Sequence, residues 1–240
     1  MQINERKTVD LNGFLVSKCN KKAVKQCFEL ALSFPEKGSL IFVSGPFPCG
    51  KTSLLRKVSE IYQNIYGFIP IVTSFRFVID NFIKSMKNKN ENDFFQKYNS
   101  GKLLLIDDVQ GILGFSATQE VFADIFTKLL DQGINIILFS EYNLNKFNEL
   151  YSGLKNRHID IKRVNMYKAD FMLRKNLLNY VLDCENIKIP NKLFHYLVIN
   201  KRIEVSSFNG CIAKINLMKK LEEKELSDKQ IIKIFKAYER

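Results

Sequence analysis

Eight residues carry the most chemistry in this chain: Gly45-Pro-Phe-Pro-Cys-Gly-Lys-Thr52. They fit G-x-x-x-x-G-K-[ST], a pattern whose purpose is to hold phosphate. Backbone N–H groups of the loop and the N-terminus of the following helix face the anion. Cys49, Gly50 and Ser53 line it, Lys51 reaches toward β/γ-phosphates, and Thr52 offers a hydroxyl to Mg²⁺. Fifty-five residues after Thr52, the run Leu103-Leu-Leu-Ile-Asp107-Asp108 ends in two acids. At that spacing Asp107 is the carboxylate that joins Thr52 at Mg²⁺, and Asp108 orients an attacking water. Ser140-Glu141 closes a later apolar run, where Glu141 is either a polar sensor of a γ-phosphate or an ordinary strand-end turn.

These groups need elements to hold them. Leu40-Ile-Phe-Val43 reads as a buried strand, and Leu54, Leu55, Val58, Ile61 and Tyr62 mark one helical face behind the loop. Phe68 to Val72 reads as a second strand. Ser74 to Met86 reads as a helix, with Phe75, Val78, Ile79, Phe82, Ile83 and Met86 as its apolar stripe. The polar tract 87–92 ends it, and a short helix over 93–98 follows. Lys102 to Ile106 and Ile134 to Phe139 are continuous apolar runs of the kind buried on both faces of a parallel sheet. Between them 117–131 reads as a helix stopped by Gly133. Strands alternating with helices predict an α/β fold with a parallel sheet flanked by helices. From about Tyr167 the strand signals cease, and 169–182, 191–198, 205–221 and 227–238 read as four helices. Pro190 suits a first turn and Ser227 an N-cap. The expected division is therefore a nucleotide-binding subdomain over 1–166 and an all-α lid over 167–240.

A hydrophobic content of 46% is ample for a core, and no apolar run is long enough to span a bilayer. Residues 1–7 lack the apolar stretch of a secretory signal. Five cysteines (19, 27, 49, 184 and 211) without a C-x-x-C pair fit a reduced, cytoplasmic protein with neither zinc site nor disulfide frame. Lys and Arg total 37 against 25 Asp and Glu, a net charge of +12. That invites a polyanion partner. The joint enrichment in Lys, Asn and Ile has a compositional explanation as well, since AT-rich coding produces it.

Beyond these residue-level readings, the chain resembles a family. The phosphate loop, Leu-Leu-Ile-Asp-Asp-Val-Gln (104–110), Phe-Ser-Glu (139–141) and Leu-Lys-Asn-Arg-His (154–158) are similar to the AAA+ domain of the bacterial replication initiator DnaA and its stand-alone relative Hda. The similarity also takes in Asn12 to Asn20, which matches the family's segment over the adenine pocket, and runs through the lid to about residue 236. The resemblance implies a AAA+ P-loop NTPase that binds ATP or ADP with Mg²⁺ between sandwich and lid. It implies that Arg157 is an arginine finger, offered to a neighbour's ATP. It also implies that the helix pair at 74–98 matches an initiator-specific insertion that contacts single-stranded DNA, with Arg76, Lys84, Lys87 and Lys89 as phosphate contacts. The plainer reading of that pair is a core-covering hairpin.

Two departures bear on function. The lid segment Arg202 to Gly210 aligns with one whose arginine contacts the γ-phosphate, and here that position is Ser206, with Lys201 and Arg202 as substitutes off the aligned face. No segment of this sequence matches the initiator's flanking domains, so sequence-specific duplex binding through its helix-turn-helix is not expected. The leading expectation is a DnaA-family regulator of chromosomal replication initiation, Hda-like, acting on DnaA with weak or partner-dependent ATPase activity. The alternative is a helicase loader or mobile-element replication protein that binds single-stranded DNA. An ATP-binding scaffold without turnover is the third reading. A homo-oligomer through AAA+ contacts is a further possibility. So is a sliding clamp held through Gln2-Ile3, although Asn4-Glu5-Arg6 lacks the apolar residues that should follow.

Overall fold

The computed structural model describes residues 9–11, 13–33, 36–88, 91–99, 101–200, 203–222 and 226–237. Gln2-Ile3, Lys89, Lys201 and Arg202 lie outside them. By its internal contacts the chain divides into two units, residues 20–168 and a second containing the segment before Asn20 with the helices after Lys168. Among the described residues, no helix is long and apolar enough to cross a membrane.

The chain opens with a short antiparallel hairpin, β1 (Val9–Leu11) and β2 (Phe14–Val16). The larger unit then runs α1 (Lys21–Ala31), β3 (Leu40–Ser44), α2 (Lys51–Tyr66), β4 (Ile71–Ser74), α3 (Phe75–Lys87) and α4 (Glu91–Asn99). It continues through β5 (Leu103–Asp107), α5 (Ser116–Asp131), β6 (Asn135–Ser140), α6 (Asn148–Asn156) and β7 (Ile161–Asn165). Its five strands pair in the order β4-β5-β6-β3-β7, all in parallel register. The alternation of strand and helix thus builds the parallel sheet that the apolar runs demand.

Burial follows the sheet order. β3 and β6 are buried at every position and β5 at all but its last, whereas β4 alternates between partly buried and exposed and β7 buries only Ile161 and Val164. The edge position of β7 explains why it is unreadable as a strand: Lys162 and Arg163 interrupt its apolar residues. At the other edge, β4 starts three residues later than expected, after Pro70, which has no N–H to give a ladder. Phe68, Ile69 and Val72 stay exposed there. The core over one part of the sheet joins Phe75, Phe94, Tyr98, Phe122 and Phe126 to the strand residues. Phe75 and Phe122 have ring centroids 4.6 Å apart, and Asn81 Nδ2 donates to Tyr98 Oη across α3 and α4 at 3.0 Å. The helix pair 75–99 is therefore a core-covering hairpin, whatever else it does. Ile83 and Met86, expected in its apolar stripe, are exposed.

A buried amide locks the entrance to the sheet. Asn135 Nδ2 donates to the carbonyl oxygens of Leu30 and Ser33 at 3.0 and 2.9 Å, and its Oδ1 accepts from the Ser39 N–H at 3.0 Å. The end of α1 is thereby tied to the starts of β3 and β6.

The helical unit comprises α7 (Phe171–Cys184), α8 (Asn191–Ile199), α9 (Phe208–Glu222) and α10 (Asp228–Lys236). Asp170 caps α7 by accepting from the Leu173 N–H at 2.8 Å. Ser227 is the N-cap of α10, its N–H donating to Gln230 Oε1 at 2.9 Å. Pro190 is itself the N-cap of α8 rather than a first-turn residue. Leu178, Leu197, Phe208, Ile212, Ile215 and Phe235 anchor a separate core. The hairpin groups with this unit because β2 packs on α7. Its membership is decided by a contact between residues far apart in sequence.

Arg174 is the one buried cation of this unit among the described residues. Its Nε donates to Val198 O at 2.8 Å, and Nη2 donates to Leu197 O and Asn200 O at 2.9 and 2.8 Å. These are last-turn carbonyls of α8, where a cation also meets the negative end of the helix dipole. Burial lowers the guanidinium from its ordinary value, with Glu204 opposing the shift. Arg174→Ala is expected to destabilise the fold by roughly 3 kcal/mol, because it strands buried acceptors. Chemical denaturation of the two proteins checks this.

Candidate phosphate-binding site

The carboxyl ends of β5, β6 and β3 are consecutive in the sheet. The loops leaving them carry the two acids, Glu141 and the glycine loop respectively, the arrangement expected where an open α/β sheet binds a ligand. Tertiary order, not chain order, brings the three loops side by side.

Gly50 is the N-cap of α2 and sits in the left-handed region at φ 89°, a conformation that costs glycine little. Gly45 passes close to the backbone after β7, and a Cβ there would lie 2.5 Å from Met166 O. With the loop so held, α2 presents its N-terminus to the site. Lys51 is only 9% exposed, and its Nζ donates to Gly45 O at 2.6 Å. Cys49 Sγ lies 3.9 Å from the same Nζ. Thr52 and Ser53 are exposed at the first turn.

Thr52 Oγ1 donates to Asp107 Oδ2 at 2.7 Å. The other oxygen of Asp107 accepts from the Asp108 N–H at 3.0 Å. Asp108 adopts the left-handed conformation at φ 56°, ψ 42°, sparsely populated for a residue with a Cβ. Its Oδ1 accepts from Gln110 Nε2 at 2.8 Å. Gln110 Oε1 accepts from the Glu141 N–H at 3.1 Å. The side chain of Glu141 is exposed. Beside it, buried Ser140 Oγ accepts from the Tyr142 N–H at 3.1 Å.

Arg157 stands apart from this group. It caps the C-terminus of α6, and its Nε and Nη2 both donate to Asp124 Oδ1 on α5, at 2.9 and 2.5 Å. Its Nη1 donates to Gly153 O at 2.7 Å. The helices approach closely here, since a Cβ on Gly153 would lie 2.7 Å from Ala123 Cβ. The expected finger is thus bound within its own subunit. Ser206 is exposed, in a single 3₁₀ turn (Val205–Ser207) just before α9.

The donor set Thr52 hydroxyl and Asp107 carboxylate is hard oxygen, which suits Mg²⁺. Among the described residues, no cluster of three or more His, Cys, Asp or Glu forms a metal cage. Sequence reasoning assigned no role to Gln110 or Asp124. The Asp-Asp-x-Gln spacing was the available signal for the first, and nothing local marks the second.

Residues 3–160 match the family model of the bacterial DnaA ATPase domain. The chain belongs to this family. It is 27% identical over 229 residues to the chromosomal replication initiator protein DnaA of Thermotoga maritima, and equally to that of Thermotoga sp. strain RQ2. Those alignments cover 94% of this chain and 52% of each relative, so the chain spans about half the length of the curated relatives it matches. The crystal structure of domain III of T. maritima DnaA superposes with a TM-score of 0.79 at 25% identity, covering 95% of both chains. Replication initiator DnaA bound to AMPPCP and single-stranded DNA superposes at 0.71 with 27% identity, over 89% of this chain and 67% of that one. AMPPCP-bound DnaA from Aquifex aeolicus also scores 0.71, at 25% identity, over 86% of this chain and 64% of the other. The fold is therefore that of a DnaA-family AAA+ module.

Proposed function

We propose that this DnaA-family module binds ATP or ADP with Mg²⁺ at Gly45–Thr52 and regulates replication initiation in the manner of Hda, acting on the initiator DnaA through AAA+ contacts. The observation that carries the nucleotide reading is the Thr52–Asp107 hydrogen bond of 2.7 Å at the mouth of the glycine loop. A hydroxyl from the first turn of α2 and a carboxylate from the end of β5 converge where one ion would sit against phosphate. Lys51 holds the negative charge of the nucleotide, and Asp107 and Thr52 hold Mg²⁺. An Mg²⁺ held there would supply positive charge against the phosphates. Asp108 orients the attacking water, and Glu141 senses the γ-phosphate. In the regulator reading, Arg157 is offered to the initiator's ATP. Relatives that bind AMPPCP support the adenine specificity.

Titration of the full chain with ADP and ATP, followed by assay of the initiator's ATP hydrolysis in its presence, tests the proposal. Tight nucleotide binding with faster hydrolysis by the initiator is expected. Binding to neither nucleotide, or no effect on the initiator, overturns the corresponding half.

Ser206 supplies no cation for the γ-phosphate. ADP and ATP should therefore bind with similar affinity, and the chain's own turnover should be slow. Ser206→Arg is expected to raise the preference for ATP about 10- to 150-fold, the worth of one charge-assisted hydrogen bond. Competition titrations of ATP against ADP on both proteins measure it.

A second reading has its own support. The outer side of α3 exposes Phe77, Ile83 and Met86 among Arg76, Lys84 and Lys87, and Lys97 Nζ lies 4.8 Å from the Phe77 ring centroid. Aromatic faces beside cations suit single-stranded nucleic acid, and a relative is known bound to single-stranded DNA. In that case the protein is a helicase loader or mobile-element replication protein. Salt-dependent binding of an oligonucleotide, lost on charge reversal at Lys84 and Lys87, without any contact to the initiator, would replace the regulator reading. Sliding-clamp binding and self-assembly are partners to probe in the same pull-down.

A further inference from the structure

Asp107 and Asp108 are adjacent acids with different surroundings. Both oxygens of Asp107 are engaged, one by Thr52 and one by the Asp108 N–H. Among the described contacts, the Asp108 carboxylate has a single partner, Gln110 Nε2, on Oδ1. Its Oδ2 is left to accept a proton from water. Gln110 cannot be turned around. The Glu141 N–H is a donor only, so the atom that meets it must be the amide oxygen. The NH₂ is then directed at Asp108, where an ionised carboxylate needs a donor. The orientation of this amide follows from its two neighbours and is not a free choice.

Gln110 lies in the 3₁₀ turn Val109–Ile112, whose N-cap is Asp108 itself in the left-handed conformation. The acid therefore points where the backbone turn sends it, and the Gln110 amide, held in turn by the Glu141 N–H just after β6, ties it there. We propose that Gln110 is a positioning residue of the nucleotide site, bridging the Asp108 carboxylate at the end of β5 to the Glu141 backbone at the end of β6. Through this bridge, a displacement of the β6 loop by the γ-phosphate moves the acid that orients the water. The inference rests on the nucleotide reading above and names a regulation of that site: Asp108 is aligned by what the neighbouring strand end senses.

The test compares wild-type protein with Gln110→Ala and Gln110→Glu in three measurements on the full chain. ADP affinity is titrated, single-turnover ATP hydrolysis is followed with protein in excess, and the Gln110 side-chain amide is followed by NMR in wild type and in Asp108→Asn. ADP affinity should stay within about twofold, while the single-turnover rate falls about 10- to 100-fold, the scale of a misplaced reacting group. The split between an intact ADP affinity and a fallen rate separates positioning from general loosening. Gln110→Glu keeps an acceptor for the Glu141 N–H but has no donor for Asp108, so its rate should fall at least as far as that of Gln110→Ala. The Gln110 side-chain NH₂ resonances of the wild type should shift in Asp108→Asn, which removes the charge they face. An unchanged rate in Gln110→Ala with ADP binding intact overturns the proposal, as does a wild-type chain that binds ADP and hydrolyses no ATP at excess protein. A wild-type chain that binds no ADP instead overturns the nucleotide reading itself.

Discussion

Lys51→Ala is expected to abolish the stabilisation of this protein by nucleotide. Saturating wild-type protein with ADP at about 100 times its Kd should add ~2.7 kcal/mol to its stability, because a ligand that binds only the folded state shifts the equilibrium by mass action. The Lys51 ammonium is almost wholly buried and rests on Gly45 O within its own loop. That contact pins the loop and keeps the cation at the place where phosphate charge must be met. Alanine removes both the charge and the pin, leaving the helix N-terminus as the chief remaining attraction. The thermal shift with ADP and Mg²⁺ should therefore vanish, while Thr52→Val should weaken it chiefly in its dependence on Mg²⁺. A thermal shift of wild-type size in Lys51→Ala would place the nucleotide elsewhere on the molecule.

Arg157→Ala is expected to remove the stimulation of the initiator's ATP hydrolysis by about 10³-fold or more, the usual scale for an arginine finger supplied in trans, with no change in the protein's own ADP affinity. Asp124 makes this prediction sharper. The Arg157–Asp124 pair has side chains 34% and 54% exposed, so its loss should cost stability only ~0.2–1 kcal/mol. The acid nevertheless competes with any phosphate for the same guanidinium N–H groups. Asp124→Ala should therefore fold normally and stimulate the initiator at least as well as wild type. Loss of stimulation in both variants would mean that Asp124 presents the arginine rather than retaining it. Retention in Arg157→Ala would remove this residue from the mechanism.

How much could be read in advance depended on the range over which each feature is set. The phosphate loop was legible because strand, glycine turn and helix N-terminus are contiguous, and Gly50, Lys51 and Thr52 have geometry fixed within a few residues of themselves. β3, β5 and β6 were legible because strands buried on both faces must be apolar throughout. β7 and the hairpin of β1 and β2 are not legible as strands, because short or edge strands can carry charged residues such as Lys162 and Arg163. The stripe of α3 was over-read at Ile83 and Met86 because helical periodicity predicts a face, not what covers it. The hairpin's place beside α7 was equally beyond local pattern.

The residues of the site were therefore set by sequence, and their relations by the fold. Motif spacing alone names Lys51, Thr52, Asp107, Asp108 and Glu141 as groups of the right chemistry. Only the sheet order β5-β6-β3 makes Thr52 a neighbour of Asp107 and makes the Gln110 amide a bridge from Asp108 to Glu141. Only the close approach of α5 and α6 at Ala123 and Gly153 gives Arg157 an acid in its own subunit. Hydrogen bonds act over about 3 Å, so a pairing between residues 31 to 55 positions apart exists only once the chain has folded.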